Sequence, residues 1–329
     1  MQKSKKMIKN FIEILSRFGR DFKKSKYEDE ETLKNVQHLK DHGFVALNHL
    51  VGSPKFLEIK NKINNIIEND LTIEFPCLAQ SKINNDKHQD LIKSNFLSTN
   101  ANLSQRDLTF EKKDIKSYSH MIKEFSPSTL TLGIKDDKLF FDIWLDEKVI
   151  NIVQSYMGFV PELVEAYTRR NFPCKYKVMN HFWHRDENHK DYLLKAFIFF
   201  TDCDQNTGAH HYISGSVKTK NFRDNKYYED EEIHSIWPEH SKNHMISNVK
   251  AGTIIIEDTR GLHKAGTPNI KYRDLGYAVF LPPNFLRKKF NPNKIMKTHK
   301  FQCPLVQGVD EMTRAGELSF KFGNDLVFE

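Results

Sequence analysis

Tyr-Lys-Val-Met-Asn-His-Phe-Trp-His-Arg-Asp, residues 176–186, runs with the period of a β-strand into the triplet His184-Arg185-Asp186. In a strand, residues i and i+2 point to the same side, so the imidazole of His184 and the carboxylate of Asp186 converge on one point. A third group of the same kind has to arrive from elsewhere in the chain. His263 sits in a turn just after the apolar run Thr253 to Glu257, where a neighbouring strand end can place it beside the first two.

Two histidines and one carboxylate on one face form the facial triad of non-haem Fe(II) oxygenases, which leaves metal positions open for a co-substrate and O2. A dicarboxylate co-substrate needs a cation at its far end. Arg273 stands ten residues beyond His263, at the start of the strand that contains Tyr277 to Leu281. Arginine suits the task because its fork binds a carboxylate through two parallel hydrogen bonds and keeps its charge. The triplet alone is a weak signal in a chain with fifteen histidines. His181, His189, His210 and His211 read as surface or core residues, not as ligands. The ordered set carries the argument: strand, H-x-D, two apolar strands joined by an Asn-Thr-Gly turn, a Gly-led apolar strand, His, then Arg.

Outward from this stretch, Leu193 to Thr201, Ala209 to Ile213, Thr253 to Glu257 and Gly276 to Leu281 are short β-type runs separated by turn residues such as Asp204 to Gly208. Strands at this density, without helices between them, indicate a sandwich or barrel and not a parallel α/β sheet. The half before about residue 161 reads as mostly helical. Leu33, Val36 and Leu39 share a helix face stopped by Gly43, and Phe44 to Leu47 follow as a strand. Ser53-Pro54 opens a helix with Phe56, Ile59, Ile63, Ile66 and Ile67 buried, and Asp146 caps one with Val149, Ile150, Val153, Tyr156 and Met157 inward, ended by Gly158. The polar region from Gln80 to Lys116 reads as loops. Trp183 and Arg185, which flank His184, read as packing and a salt bridge in the barrel wall. Lys195 either reaches the pocket or caps a strand edge, while Phe197 and Phe199 read as core.

Several stretches together resemble the phytanoyl-CoA dioxygenase family of Fe(II)/2-oxoglutarate oxygenases. They are Trp183 to Glu187, Lys195 to Asp204 with Asn206-Thr207-Gly208, Ser214-Gly215-Ser216 with Lys218, Gly252-Thr253 leading to Asp258, and His263 to Gly266 with Arg273. The opening Leu39 to Val51 is similar too, so the likeness covers roughly residues 30 to 285. It implies a mainly β fold, a double-stranded β-helix (jelly-roll, cupin-like) core with a helical N-terminal part. His184, Asp186 and His263 are then the iron ligands, Arg273 anchors the distal carboxylate of 2-oxoglutarate, and the cofactors are Fe(II), 2-oxoglutarate and O2. The implied reaction is hydroxylation of a C–H bond of a small molecule with release of succinate and CO2. Related halogenating enzymes replace the carboxylate by a small residue, so Asp186 favours hydroxylation or desaturation. Val217 stands where family members commonly have histidine, so this loop departs from the family pattern.

The expected organisation is a basic amphipathic extension over 1–29 and one oxygenase domain over 30–329, with a helical region to about 160, the β-helix core over about 161–285 and a C-terminal extension over about 286–329. With 329 residues, 39% hydrophobic and 12% aromatic, the chain can bury a large core. Its net charge of +7 resides in residues 1–26, where nine basic side chains meet two acidic ones, so the rest is neutral. A nucleic-acid enzyme is expected to carry a basic groove in its body, which argues against DNA or RNA as partner. Met7, Ile8, Phe11, Ile14, Leu15, Phe18 and Phe22 share one helical face of that tail. Docking on the protein's own body is the leading reading, with peripheral membrane or lipid contact and an oligomer contact beside it. Four scattered cysteines (Cys77, Cys174, Cys203, Cys303), no secretory signal and no apolar run long enough to span a bilayer point to reduced thiols and the cytoplasm. Two other classes remain as alternatives: a metal-binding barrel without oxygenase activity, holding zinc or a structural ion, and an inactive binding module.

Overall fold

Why the strands pair as they do follows from their alternation. The computed structural model describes residues 29–70, 77–82, 109–132, 143–144, 146–158, 161–177, 179–186, 193–224 and 227–281. The amphipathic stretch 1–26, residues 83–108, His189, Cys303 and the C-terminal stretch therefore lie outside the described residues.

Eleven described strands form two antiparallel sheets: β1 (Phe44–Leu47), β2 (Cys77–Ala79), β3 (Thr109–Phe110), β4 (Pro127–Leu132), β5 (Glu162–Asn171), β6 (Leu194–Phe199), β7 (His211–Ile213), β8 (His244–Ile246), β9 (Ile254–Glu257), β10 (His263–Lys264) and β11 (Arg273–Leu281). The large sheet has the order β1-β9-β6-β11-β5-β4-β2-β3 and the small one β10-β7-β8. Phe197, Phe199 and Ile255 of the large sheet, with Phe44, Leu275 and Tyr277, pack against Ala209 and Ile246 and fill the space between the sheets. This is the jelly-roll arrangement, mainly β with helices outside it.

The alternate residues of the same strands, Ala196, Ile198, Ile254, Ile256, Ala278 and Phe280, point the other way into the largest core cluster. The helices cover them there. Helix α1 (Glu30–His42) buries Val36 and Leu39, is capped by Asp29 and stops at Gly43, which takes φ +89°. Helix α2 (Pro54–Asn65) starts on the Ser53 cap and buries Phe56, Ile59 and Ile63, continuing as a π-turn (Ile66–Asp70) that buries Ile66 and Ile67. Phe56 stacks on Phe200 at 5.9 Å. Helix α4 (Glu147–Met157) is capped by Asp146 and ended by Gly158, between the shorter α3 (Tyr118–Phe125) and α5 (Asp230–His234). Each large apolar side chain fully buried here contributes on the order of 1.5–3 kcal/mol.

Several details depart from the sequence reading, among them strand β3, which lies inside the stretch Gln80 to Lys116 expected as loops and pairs with β2. Leu33 is exposed, and Thr32, which bonds the Asp29 cap through its amide and hydroxyl, takes the inward place on α1 above Val36 and Leu39. Tyr176 to His184 is not a continuous strand: a 3-10 turn over Met179–His181 precedes two isolated bridge residues, Trp183 and His184. Pro127–Leu132, in the part expected to be mostly helical, adds strand β4 to the edge of β5. Cys77, Cys174 and Cys203 are free thiols. Among the described residues no helix is long and apolar enough to cross a membrane.

Candidate metal centre

His184 pairs with His263 through a single antiparallel bridge, and Asp186 follows with its amide donating to the carbonyl of Thr259 at 2.9 Å. That pairing sets the end of β10 beside the H-x-D triplet. One ligand atom each from His184, Asp186 and His263 then lies within 4.8 Å of the others. The structure thus brings together the three residues picked from the sequence, and among the described residues they form the one such group of histidines, cysteines and acids.

The hydrogen bonds of the rings decide which nitrogen is available. Nδ1 of His184 lies 2.9 Å from the carbonyl of Phe182, and Nδ1 of His263 lies 3.0 Å from the carbonyl of Gly261. A carbonyl only accepts, so each Nδ1 carries the proton and donates, and each Nε2 keeps a lone pair. Metal-binding histidines are held in this way. Burial pushes both imidazoles to lower pKa, His263 the more strongly, although Asp186 pulls in the opposite direction. Neutral rings and an ionised acid are the protonation states a divalent metal needs.

Asp186 is ionised for a different reason. Burial works against its charge, but Lys195, His263 and His184 outweigh that and hold the carboxyl well below the usual range. Lys195 does reach the pocket: its Nζ is 2.5 Å from Asp186 Oδ2 and 5.2 Å from the centre of the Tyr277 ring. Nε2 of His263 is 3.6 Å from the same oxygen. The donor set of two neutral imidazoles and one carboxylate fits Fe(II), while the ammonium on the carboxylate marks where positive charge is wanted.

Arg273 opens β11 on the inner face, opposite Asn171 of β5. It is buried, donates through Nη1 to the carbonyl of Gly208, and its Nε has no hydrogen-bond partner among the described residues. Burial lowers its pKa, and Arg169 adds to the effect. No carboxylate among the described residues balances this guanidinium, so an anion brought against it would gain a charge-assisted hydrogen bond.

Sequence reasoning missed several neighbours. The Tyr227 ring lies 5.6 Å from that of His184, and burial together with Asp186 raises its hydroxyl to about 12. His210, read as a surface or core residue, is core, with Nε2 2.9 Å from both oxygens of Glu257, a partner the sequence did not indicate, and its ring 5.2 Å from Phe197 and 5.8 Å from His263. His181 is buried, and burial reinforced by Arg273 and Arg169 lowers its pKa to about 3. His211 bonds His244 on the far side of the small sheet. Arg185 is buried and bonds to backbone. It donates to the carbonyls of Ser216, Asn221, Phe222 and Arg260 and to Thr219 Oγ1, tying the loop after β7 to the turn before β10. Trp183 packs on the outer side of the small sheet, and its Nε1 donates to Asp230 at 2.8 Å.

No protein-family profile and no curated sequence matches the chain. Solved structures share its fold. The epimerase SnoN of nogalamycin biosynthesis, in complex with Fe3+, alpha ketoglutarate and nogalamycin RO, is 10% identical, with 77% of this chain and 84% of that chain covered at a TM-score of 0.50. EctD from S. alaskensis, with 2-oxoglutarate and 5-hydroxyectoine, is 13% identical, with 79% and 80% covered at a TM-score of 0.50. At these identities the likeness is one of fold.

Proposed function

We propose that this chain is an Fe(II)- and 2-oxoglutarate-dependent oxygenase, similar to the phytanoyl-CoA dioxygenase family, that hydroxylates a C–H bond of a small molecule. The observation that carries the reading is the coincidence, on one inner face, of the His184–Asp186–His263 cluster and the buried Arg273 guanidinium, which has no acidic partner among the described residues. The solved relatives that share the fold and hold iron or 2-oxoglutarate support it.

In this reading His184 and His263 offer their Nε2 atoms and Asp186 a carboxylate oxygen to the metal, and Arg273 binds the distal carboxylate of 2-oxoglutarate. Bound Fe(II), 2-oxoglutarate and O2 would supply the oxidising power, with succinate and CO2 as by-products. The protein's own share is to position and to exclude water. Phe197, Phe199 and Ile255 make the floor dry, which strengthens the attraction of Arg273 for a carboxylate. Tyr227, protonated at neutral pH, is a donor beside His184. The same reading treats residues from 30 onward as one domain, with 1–29 an added extension.

One observation favours a second reading. The Lys195 ammonium already compensates Asp186, as a barrel that needs no metal would arrange it. Anaerobic titration of Fe(II) and 2-oxoglutarate separates the two. A visible charge-transfer band that requires both His263 and Arg273, tested with His263→Ala and Arg273→Ala, is the expected outcome. Metal binding without any such band would refute the oxygenase reading and favour a structural or binding role.

A further inference from the structure

Strands β5 and β11 carry their charges in two adjacent rows. On the helix-covered side, Arg170 donates through Nε and Nη2 to both oxygens of Asp274, each at 2.7 Å, with Asn64 and Tyr118 as further partners. That charge is closed. One residue earlier on each strand the side chains point inward, and there Arg169 and Arg273 have no such closure.

Arg169 lies opposite Leu275, whose side chain faces the interior, and opposite Thr131 on the other flank. Its Nε donates to Thr131 Oγ1 at 3.3 Å and its Nη2 to the Tyr167 hydroxyl at 3.2 Å. Its guanidinium also lies 4.9 Å from the centre of the Tyr167 ring. Among the described residues no carboxylate meets it. The nearby cation Arg273 and the neutral, buried His181 add nothing negative, and Arg169 disfavours charge on both.

A line of side chains connects this guanidinium to the metal cluster. The Tyr167 ring lies tilted against that of Tyr277 with centres 4.6 Å apart, Tyr277 lies under the Lys195 ammonium, and Lys195 contacts Asp186. Arg169 is two strands from Lys195 and in the row of Phe199, four residues along, which puts it roughly 16 Å away at about 4.8 Å per strand and about 3.3 Å per residue. Arg169 and Tyr167 are half-buried, whereas Arg273 is fully buried. The co-substrate's distal carboxylate is satisfied by one fork. The second guanidinium, nearer solvent, bonds only neutral hydroxyls among the described residues and has its charge to offer to a molecule that enters after it.

We propose that Arg169, with Tyr167, receives a carboxylate of the organic substrate, so that the substrate is an acid whose charged end lies across the inner face from the His184–Asp186–His263 cluster. The proposal rests on the assignment of Arg273 to 2-oxoglutarate. It makes Arg169 a specificity-determining residue, because a neutral analogue would leave the guanidinium without its counter-charge.

Calorimetric titration under anaerobic conditions tests this, with the full chain loaded with Fe(II) and saturating 2-oxoglutarate. The probes are aliphatic and aromatic monocarboxylates of short to medium length, each against its own primary amide. At least one acid is expected to bind the wild type about tenfold or more tightly than its amide, as a charge-assisted bond implies. Arg169→Met should erase that preference and leave 2-oxoglutarate affinity within about twofold, while Arg273→Met loses 2-oxoglutarate. If Arg169→Met does not fold, Arg169→Lys should lower the preference severalfold through loss of the fork. The proposal is overturned if no acid is preferred, if either Arg169 variant keeps the full preference, or if Arg169→Met loses 2-oxoglutarate as Arg273→Met does. A wild type that fails to bind 2-oxoglutarate instead overturns the oxygenase reading. The acid and amide comparison, repeated without co-substrate, then still decides the role of Arg169.

Discussion

His184 and His263 exchange both backbone hydrogen bonds of one antiparallel bridge, at 3.0 and 3.1 Å, and their ring centres are 4.2 Å apart. The bridge holds two side chains from distant parts of the chain in one fixed relation, and the two Nδ1 bonds hold the rings. Removing His263 takes away a third of the donor set. In His263→Ala, Mn(II) affinity read by electron paramagnetic resonance should fall by more than the about 10–100-fold that follows loss of a supporting partner.

Lys195 and Asp186 make a prediction of opposite signs with and without metal. Lys195→Met leaves the half-buried Asp186 carboxylate without its ammonium, which costs less than the roughly 3–5 kcal/mol of breaking a fully buried pair on one side. Thermal unfolding of metal-free Lys195→Met should therefore come below wild type. Adding Mn(II) should raise the variant's Tm more than the wild type's, because the ion supplies the missing positive charge. Equal shifts in the two proteins would contradict the account.

Gly208 takes φ +80°, and a Cβ there would come 2.5 Å from the carbonyl oxygen of Gly266 and 2.6 Å from Pro268 N. Its carbonyl also receives Arg273. Gly208→Ala is expected to destabilise the fold by more than the about 1 kcal/mol of ordinary backbone effects, and to weaken 2-oxoglutarate binding as the guanidinium shifts. Denaturant midpoints and co-substrate titration on the same sample check both parts.

His211 and His244 share one hydrogen bond, Nδ1 to Nε2 at 2.9 Å, which needs one ring to accept. Burial, with Lys264 and His244 as further causes, lowers His211 to about 3, and burial with His234 lowers His244 to about 4. The unfolded rings protonate near pH 6.5. Between those values the unfolded state holds more protons, so stability is complete above about pH 6.5 and falls as the pH drops toward 4, at most about 1.4 kcal/mol per pH unit for each ring. His244→Gln should make the acid-side fall in Tm shallower, and an unchanged slope would show that other groups govern it.

How far the sequence carried these conclusions depended on distance along the chain. Spacing within a segment was readable: His184 and Asp186, the caps at Asp29, Ser53 and Asp146, and the stop signals at Gly43 and Gly158 all depend on neighbours a few residues away. His263 and Arg273 were readable through their order after an apolar strand. The partners were not. Lys195 meets Asp186, Glu257 meets His210 and Arg185 meets four carbonyls only because strands far apart in sequence pair, and no local period encodes which strands those are. The alternating Thr129, Leu130, Thr131 and Leu132 did carry a strand signal for β4, hidden by the proline before it.

Strand β11 is the last described strand in the chain, yet it lies in the middle of the large sheet, between β6 and β5. On a ribosome the chain emerges from its beginning, so β1, β9 and β6 can pair as one half and β5, β4, β2 and β3 as the other, each with an open edge waiting. The two halves become one sheet only when residues 273–281 are inserted between them. Such long-range pairing is slow, and open edges invite aggregation. Biosynthesis of this protein is therefore expected to lean on chaperones until synthesis has passed Leu281, and a chain that stops short of it should be cleared by proteolysis instead of surviving as a partly active fragment.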